Sequence, residues 1–260
     1  MTVPALEAVN LVKRFGGVHA ARDVSFSVPQ GTLCALIGPN GAGKSTVFNM
    51  VTNFYPPSAG TARLFGQSLA GLPAQRIAAL GLVRTFQTAR VFHGMTALDN
   101  VLTGAQLHQR SHPLAQMLNL PSARREERRL AAKAEALLDL VGLGAFRRAA
   151  ASDLPMGGQK LLEVIRALMA GPRVLLLDEP AAGLNDTETA ELAALLRAVR
   201  GSGITVVVVE HNMSLVMGIA DQVVVLDAGT VIAAGSPATI RTDHRVIEAY
   251  VGREAEVAGA

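Results

Sequence analysis

The stretch Gly38–Thr46, GPNGAGKST, limits the possible folds of this chain more than any other segment. It matches G-x-x-x-x-G-K-[ST], follows the apolar run that ends at Ile37, and opens a helical pattern running from Lys44 to about Asn53. Gly38, Gly41 and Gly43, with Pro39, Asn40 and Ala42 between them, let the backbone curl until several N–H groups face one point. The N-terminus of the following helix adds partial positive charge there. Lys44 is placed to reach β- and γ-phosphates, the Ser45 hydroxyl can ligate Mg²⁺, and Thr46 completes the motif. A strand, a phosphate-gripping turn and a helix in that order predict an α/β fold.

The rest of the chain agrees. Its 260 residues suit one α/β domain with an inserted lobe. Half the residues are apolar, yet aromatics are 4% and Trp is absent, so Val, Leu, Ala and Ile must build the core. That composition favours buried parallel strands over a β-sandwich. Strands are predicted at Leu6–Val12, Asp23–Val28, Thr32–Ile37, TARLFG (61–66) and GLVRTF (81–86). Across 88–153 Leu and Ala recur at helical spacing, which predicts a helical insertion lobe. The α/β pattern then returns: a helix from Gln159 to Ala170, the strand RVLLLDEP, a helix over Thr187–Arg200, the strands ITVVVVE, QVVVLD and TVIAAG, and a helical tail over 236–260. Apolar strands alternating with helices predict a mostly parallel sheet covered on both faces.

Several function classes are excluded or disfavoured. The formal charge of +3 is a mild basic excess. The Arg/Glu-rich segment SARREERRLAAKAEALLDLVGL has no aromatics among its charges, so it reads as a solvated helix face and no nucleic-acid partner is expected. The single Cys34 lies in an apolar run, which rules out an internal disulfide and suits a reducing cytosol. The N-terminus MTVPALEAVN lacks the basic and apolar regions of a signal peptide, and no apolar run reaches the ~18 residues of a membrane span. Service to a membrane is therefore expected from the cytoplasmic face, through a partner.

Chemistry beyond the phosphate loop lies in four places. Asp178 ends an apolar strand where it can hold Mg²⁺, and Glu179 follows it as a candidate general base toward an attacking water. Gln87 in RTFQ and His211 in VVVVEHN each follow an apolar strand. LPMGGQK (154–160) precedes the acid pair. In this order the features resemble the ATP-binding cassette (ABC) family across essentially the whole chain. RFGGVHA, VRTFQ, DEPAAGLN, EHNMSLVMGIAD and VIEAYVG further resemble the ATPase subunits of branched-chain amino-acid importers.

The resemblance implies a P-loop NTPase (RecA-like) core with a mostly parallel sheet, an antiparallel β subdomain and an inserted α-helical subdomain, all within one domain. It implies ATP and Mg²⁺, with Phe15 stacking on adenine, Gln87 sensing Mg²⁺ and the lytic water, His211 contacting γ-phosphate and Asn185 in the loop after the acids. Two membrane permease subunits, a second ATPase subunit, identical or different, and an indirectly coupled substrate-binding protein are implied as partners. Such cassettes dimerise head to tail, so that each phosphate loop faces the other chain's signature.

That signature is commonly Leu-Ser-Gly-Gly-Gln. An ungapped count from Arg166 and Asp178 aligns Leu154, Pro155, Met156, Gly157 and Gly158 with it, so Pro155 stands for the serine. Matching GGQ instead puts Met156 there. The ungapped register is preferred, because one inserted residue would rotate the following helix by about 100°. Either way the hydroxyl is lost, while the glycine N–H groups at a helix N-terminus are expected to remain. A urea or amide transporter could use a similar ATPase. A soluble repair or translation ATPase, a P-loop kinase or GTPase and an inactive regulatory subunit are disfavoured by the short insertion, the single cassette, the lack of N-K-x-D and the presence of Glu179.

Overall fold

Three five-residue runs, LCALI, VLLLD and TVVVV, are strands in which every residue is buried. Continuous burial requires cover on both faces, as in a parallel sheet flanked by helices. The computed structural model describes residues 2–85, 91–108 and 120–250. Its strands are β1 (Leu6–Phe15), β2 (Val18–Val28), β3 (Leu33–Ile37), β4 (Ala59–Leu64), β5 (Gln67–Ser68), β6 (Leu82–Arg84), β7 (Val174–Asp178), β8 (Thr205–Val209), β9 (Gln222–Asp227) and β10 (Thr230–Gly235). Its helices are α1 (Lys44–Val51), α2 (Ala74–Ala79), α3 (Ala97–Thr103), α4 (Pro121–Leu140), α5 (Met156–Met169), α6 (Asp186–Gly201), α7 (Met213–Ile219) and α8 (Pro237–Arg241). Residues 244–250 are also helical.

The chain divides into two compact units, 1–84 with 173–182 and 193–260, and 85–172 with 183–192. The first holds two sheets. The six-stranded sheet has the order β10-β9-β3-β8-β7-β6. Strands β9, β3, β8, β7 and β6 run parallel and β10 is antiparallel to β9. The four-stranded sheet, β2-β1-β4-β5, is antiparallel. Val47, Phe48, Met50 and Val51 of α1 are buried in the core with Leu6, Leu11, Val24, Leu36 and Leu226. Cys34 lies in the same core, where burial pushes its thiol up to about 12 and keeps it unreactive.

The second unit is helical among its described residues. Thr96 caps α3 by accepting from Asp99 N at 3.1 Å, and Pro121 starts α4, where a missing N–H costs nothing. Leu130, Ala134 and Leu138 form the buried stripe of α4, while Arg124, Arg125, Arg128 and Arg129 are exposed, as the amphipathic pattern predicts. No helix among the described residues is long and apolar enough to cross a membrane.

Several element bounds differ from the sequence reading. Strand β1 extends to Phe15 and β2 begins at Val18, because Gly16-Gly17 makes the turn of one hairpin. Strand β6 is confined to Leu82–Arg84. Helix α5 starts at Met156 rather than Gln159. Glycine is tolerated in a first turn, whose N–H groups lack helical partners whatever the residue, and Gln159 N already bonds Pro155 O at 3.0 Å.

Candidate functional site

Parallel pairing brings the carboxyl ends of β3, β8, β7 and β6 to one edge of the sheet. Leu36 and Asp178 both pair with Val209, and Arg84 pairs with Leu176. Gly38, Glu210 and Glu179 therefore all leave the sheet on that edge, where α/β proteins bind ligands.

Gly38–Gly43 turns from β3 into α1. Gly38, Gly41 and Gly43 have φ of 148°, 80° and 101°. At Gly43 a Cβ would lie 2.5 Å from Ala20 O, and at Gly38 it would strike the Leu226 carbonyl, so side chains are excluded by space as well as by φ. Gly229 N donates to Ala42 O at 3.0 Å and fixes the loop from outside. Buried Lys44 folds across the loop, its Nζ donating to Gly38 O at 2.7 Å and Pro39 O at 3.1 Å. Asn40, Gly41 and Ser45 are exposed, and Ser45 and Thr46 lie in the first turn of α1, where backbone N–H groups lack helical partners. This is a cationic, N–H-lined cradle suited to phosphate. Phe15 ends β1 with 49% of its surface exposed. Its ring meets Tyr55 edge-on at 5.4 Å, with Lys13 Nζ 5.2 Å from its centroid.

Asp178 is 5% exposed and ends β7. Arg84, which the sequence reading did not single out, donates from Nη2 to Asp178 Oδ2 at 2.8 Å and from Nη1 to Asn49 Oδ1 at 2.6 Å. Glu179 adopts a left-handed backbone with φ 48° and donates its N–H to Val209 O at 2.9 Å. Such a conformation costs a non-glycine residue about 1–3 kcal/mol and concentrates at functional sites. His211 is exposed just beyond β8. Its backbone N–H goes to the carboxylate of Glu210, a second residue the sequence reading passed over. An acid or Arg that ends an apolar strand was the available signal for both. Gln87 lies outside the described residues.

In the helical unit, Leu154 is buried, Pro155 is the N-cap of α5 without a side-chain cap, and Met156 is 55% exposed. Gly157 and Gly158 are buried in the first turn of α5. The expectation that both glycine N–H groups are on offer is corrected at Gly157: it donates to Glu188 Oε1 at 3.2 Å. Glu188 is preset for this contact because it caps α6 reciprocally with Asn185. Asn185 N donates to Glu188 Oε2 and Glu188 N to Asn185 Oδ1, each at 3.0 Å. A Cβ at Gly157 would collide with the Glu188 side chain, so the close approach requires glycine.

A parallel sheet that feeds a glycine-rich phosphate cradle, with a buried acid ending a second strand of the same edge, defines a P-loop nucleotide-binding protein. Residues 21–182, more than half of the chain, match the ABC transporter family, and residues 230–256 match the branched-chain amino acid ATP-binding cassette transporter family. The chain belongs to the ABC transporter family and is one of its ATP-binding ATPases. It is 44% identical, over 97% of its length and 99% of the relative's, to the high-affinity branched-chain amino acid transport ATP-binding protein BraF of Pseudomonas aeruginosa. It is 42% identical over the same shares to LivG of Escherichia coli strain K12, which carries the same description. Its fold matches the crystal structure of the ADP conformation of MJ1267, an ATP-binding cassette of an ABC transporter, with TM-score 0.84 and 31% identity over 96% of this chain and 100% of that one.

Proposed function

We propose that this chain binds and hydrolyses ATP to power a membrane importer of branched-chain amino acids. The observation that carries the reading is the kinship with BraF and LivG over nearly the full length of each chain. The match of residues 230–256 to the branched-chain cassette family supports the solute class.

Lys44 exchanges its bonds to Gly38 O and Pro39 O for β- and γ-phosphate oxygens, and backbone N–H groups of the loop and of the first turn of α1 take the rest of the phosphate charge. The exposed ring of Phe15 stacks on adenine. The exposed Ser45 hydroxyl and the Asp178 carboxylate at the end of β7 would hold Mg²⁺, with Gln87 the further oxygen ligand that the family resemblance implies, in the sparse set Mg²⁺ keeps when substrate phosphates also bind it. An ion held there would supply charge neutralisation to the phosphates during transfer. Glu179 takes a proton from the attacking water as its oxygen bonds to the γ-phosphorus and the bond to the ADP oxygen breaks. His211 donates toward the γ-phosphate, and Asn185 faces the partner ATPase.

The chain works as one cassette domain, with 88–153 as helical lobe and 236–260 as tail, peripheral on the cytoplasmic face of the membrane. Its partners are two permease subunits, a second ATPase subunit and, indirectly, a substrate-binding protein. The segment Leu154–Gly158 serves the nucleotide of the second ATPase subunit. Serine is a favoured helix N-cap, and Pro155 rather than Met156 holds that place, which supports aligning Pro155 with the family serine. The missing hydroxyl weakens this half-site by about 1.5–3 kcal/mol, the worth of a hydrogen bond to a charged group. Pro155→Ser is expected to raise ATP turnover of the assembled transporter several-fold, and unchanged turnover would count against a weakened signature.

Uptake of labelled leucine, isoleucine, valine, urea and acetamide, measured after deleting the gene from its host, tests the solute class. Loss of the three amino acids with the amides unaffected is expected. Loss of urea or acetamide uptake alone would move the assignment to those solutes.

A further inference from the structure

Glu210 is fully buried, with 0% of its surface exposed. A carboxylate so placed is costly unless its oxygens are satisfied. One oxygen, Oε1, accepts from Ala181 N at 2.7 Å, and Oε2 accepts from His211 N at 3.1 Å and Asn212 N at 3.3 Å. Hydrogen bonds to an ionised acceptor are roughly twice as strong as neutral ones. These three tie together two loops that come from different strands. Ala181 lies two residues beyond Glu179 in the turn after β7, and Ala182 N closes that turn on Glu179 O at 3.1 Å. His211 and Asn212 start the turn after β8, and Asn212 caps α7 by accepting from Leu215 N at 3.0 Å. The His211 backbone is thus held from behind by Glu210 and from ahead by the capped helix, while its side chain remains exposed.

The geometry points to Glu210 as a positioning residue: its carboxylate, anchored on the Glu179 turn, sets the register of the His211 turn so that the proposed base and the γ-phosphate contact act as one unit. It touches neither substrate nor metal and acts through His211. The inference rests on the proposed hydrolytic role of that edge of the sheet.

Glu210→Gln is nearly isosteric but must present an NH₂ group to the N–H of Ala181 or to those of His211 and Asn212, setting donor against donor. The test is steady-state hydrolysis of Mg-ATP by the transporter assembled with its membrane subunits. E210Q is expected to lower kcat about 10–100-fold, the usual cost of losing an outer-sphere support. The KM for Mg-ATP should stay within about twofold, because the phosphate cradle is not moved. In a His211→Ala background the same substitution should cost less than about twofold, because no side chain remains to be positioned. Glu210→Asp keeps the charge and favours folding, but it is one methylene too short to span both turns, so kcat is expected to fall at least about tenfold there too. An equal fractional loss with and without the His211 side chain, a rise in KM at unchanged kcat, or wild-type kcat in either variant overturns the inference. Absence of ATP turnover in the unmodified assembly would instead refute the hydrolytic reading itself.

Discussion

Glu179→Gln is expected to lower ATP turnover by about 100- to 10 000-fold, the usual contribution of a positioned general base. In free energy that is roughly 3–5 kcal/mol of transition-state stabilisation, at about 1.4 kcal/mol per tenfold. The substitution is a clean one for a structural reason. Glu179 sits at φ 48° and its N–H is committed to Val209 O. Gln has the same backbone preferences and nearly the same volume, so the strained turn and that hydrogen bond are retained and only the proton acceptor is lost. ATP affinity should therefore stay within about twofold, since the Lys44 cradle is untouched. Binding without hydrolysis should also hold two cassettes together on their nucleotides. Sizing of the purified variant is expected to show a dimer with Mg-ATP and a smaller species without it. A variant that hydrolyses ATP at the wild-type rate would remove Glu179 as the base. A variant that binds ATP yet stays monomeric would show that the Pro155-containing segment cannot close two identical sites and that a different ATPase subunit is required.

What could be read in the sequence was local. The phosphate loop is a contiguous string, and its strand–loop–helix context is carried by its own neighbours, so the cradle followed directly. The buried strands β3, β7 and β8 could be read because four or five consecutive apolar residues between turn residues leave little alternative. The pairings that organise the site could not. Arg84 and Asp178 are 94 residues apart, Glu210 and Ala181 are 29 apart, and Gly157 and Glu188 are 31 apart. Each pairing depends on how distant segments meet, such as β6 lying beside β7, and local periodicity does not encode that. The start of α5 was misplaced for a related reason. Propensity disfavours Gly-Gly in a helix, but in the first turn Gly157 serves by leaving room for Glu188.

Arg84→Met is expected to destabilise the protein by about 3–5 kcal/mol, the usual cost of removing one member of a buried ion pair. Arg84 and Asp178 side chains are only 11% and 7% exposed, so water cannot replace the lost partner at Asp178. The guanidinium does more than neutralise charge. Its Nη2 serves Asp178, while Nη1 serves Asn49 Oδ1 and Thr52 Oγ1 at 3.2 Å, joining the end of α1 to the acid that ends β7. Lysine keeps the charge but cannot reach in both directions from one nitrogen, so Arg84→Lys should fall between wild type and Met. The decisive comparison is Arg84→Met with Asp178→Asn in one chain. Removing the charge on both sides leaves no buried anion without a partner, and a large part of the lost stability, at least about 2 kcal/mol, should return. Urea unfolding of the four proteins in the double-mutant cycle measures this directly. If the double variant is no more stable than Arg84→Met, the loss comes from the bonds to Asn49 and Thr52 and not from the unpaired carboxylate charge. Hydrolysis should be absent from the double variant even where stability returns, because the role proposed for Asp178 is to hold Mg²⁺ through its charge. On this account stability and catalysis make opposite demands on the pair: the fold is expected to tolerate two neutral side chains there, whereas the proposed chemistry requires the acid, which Arg84 neutralises at 2.8 Å.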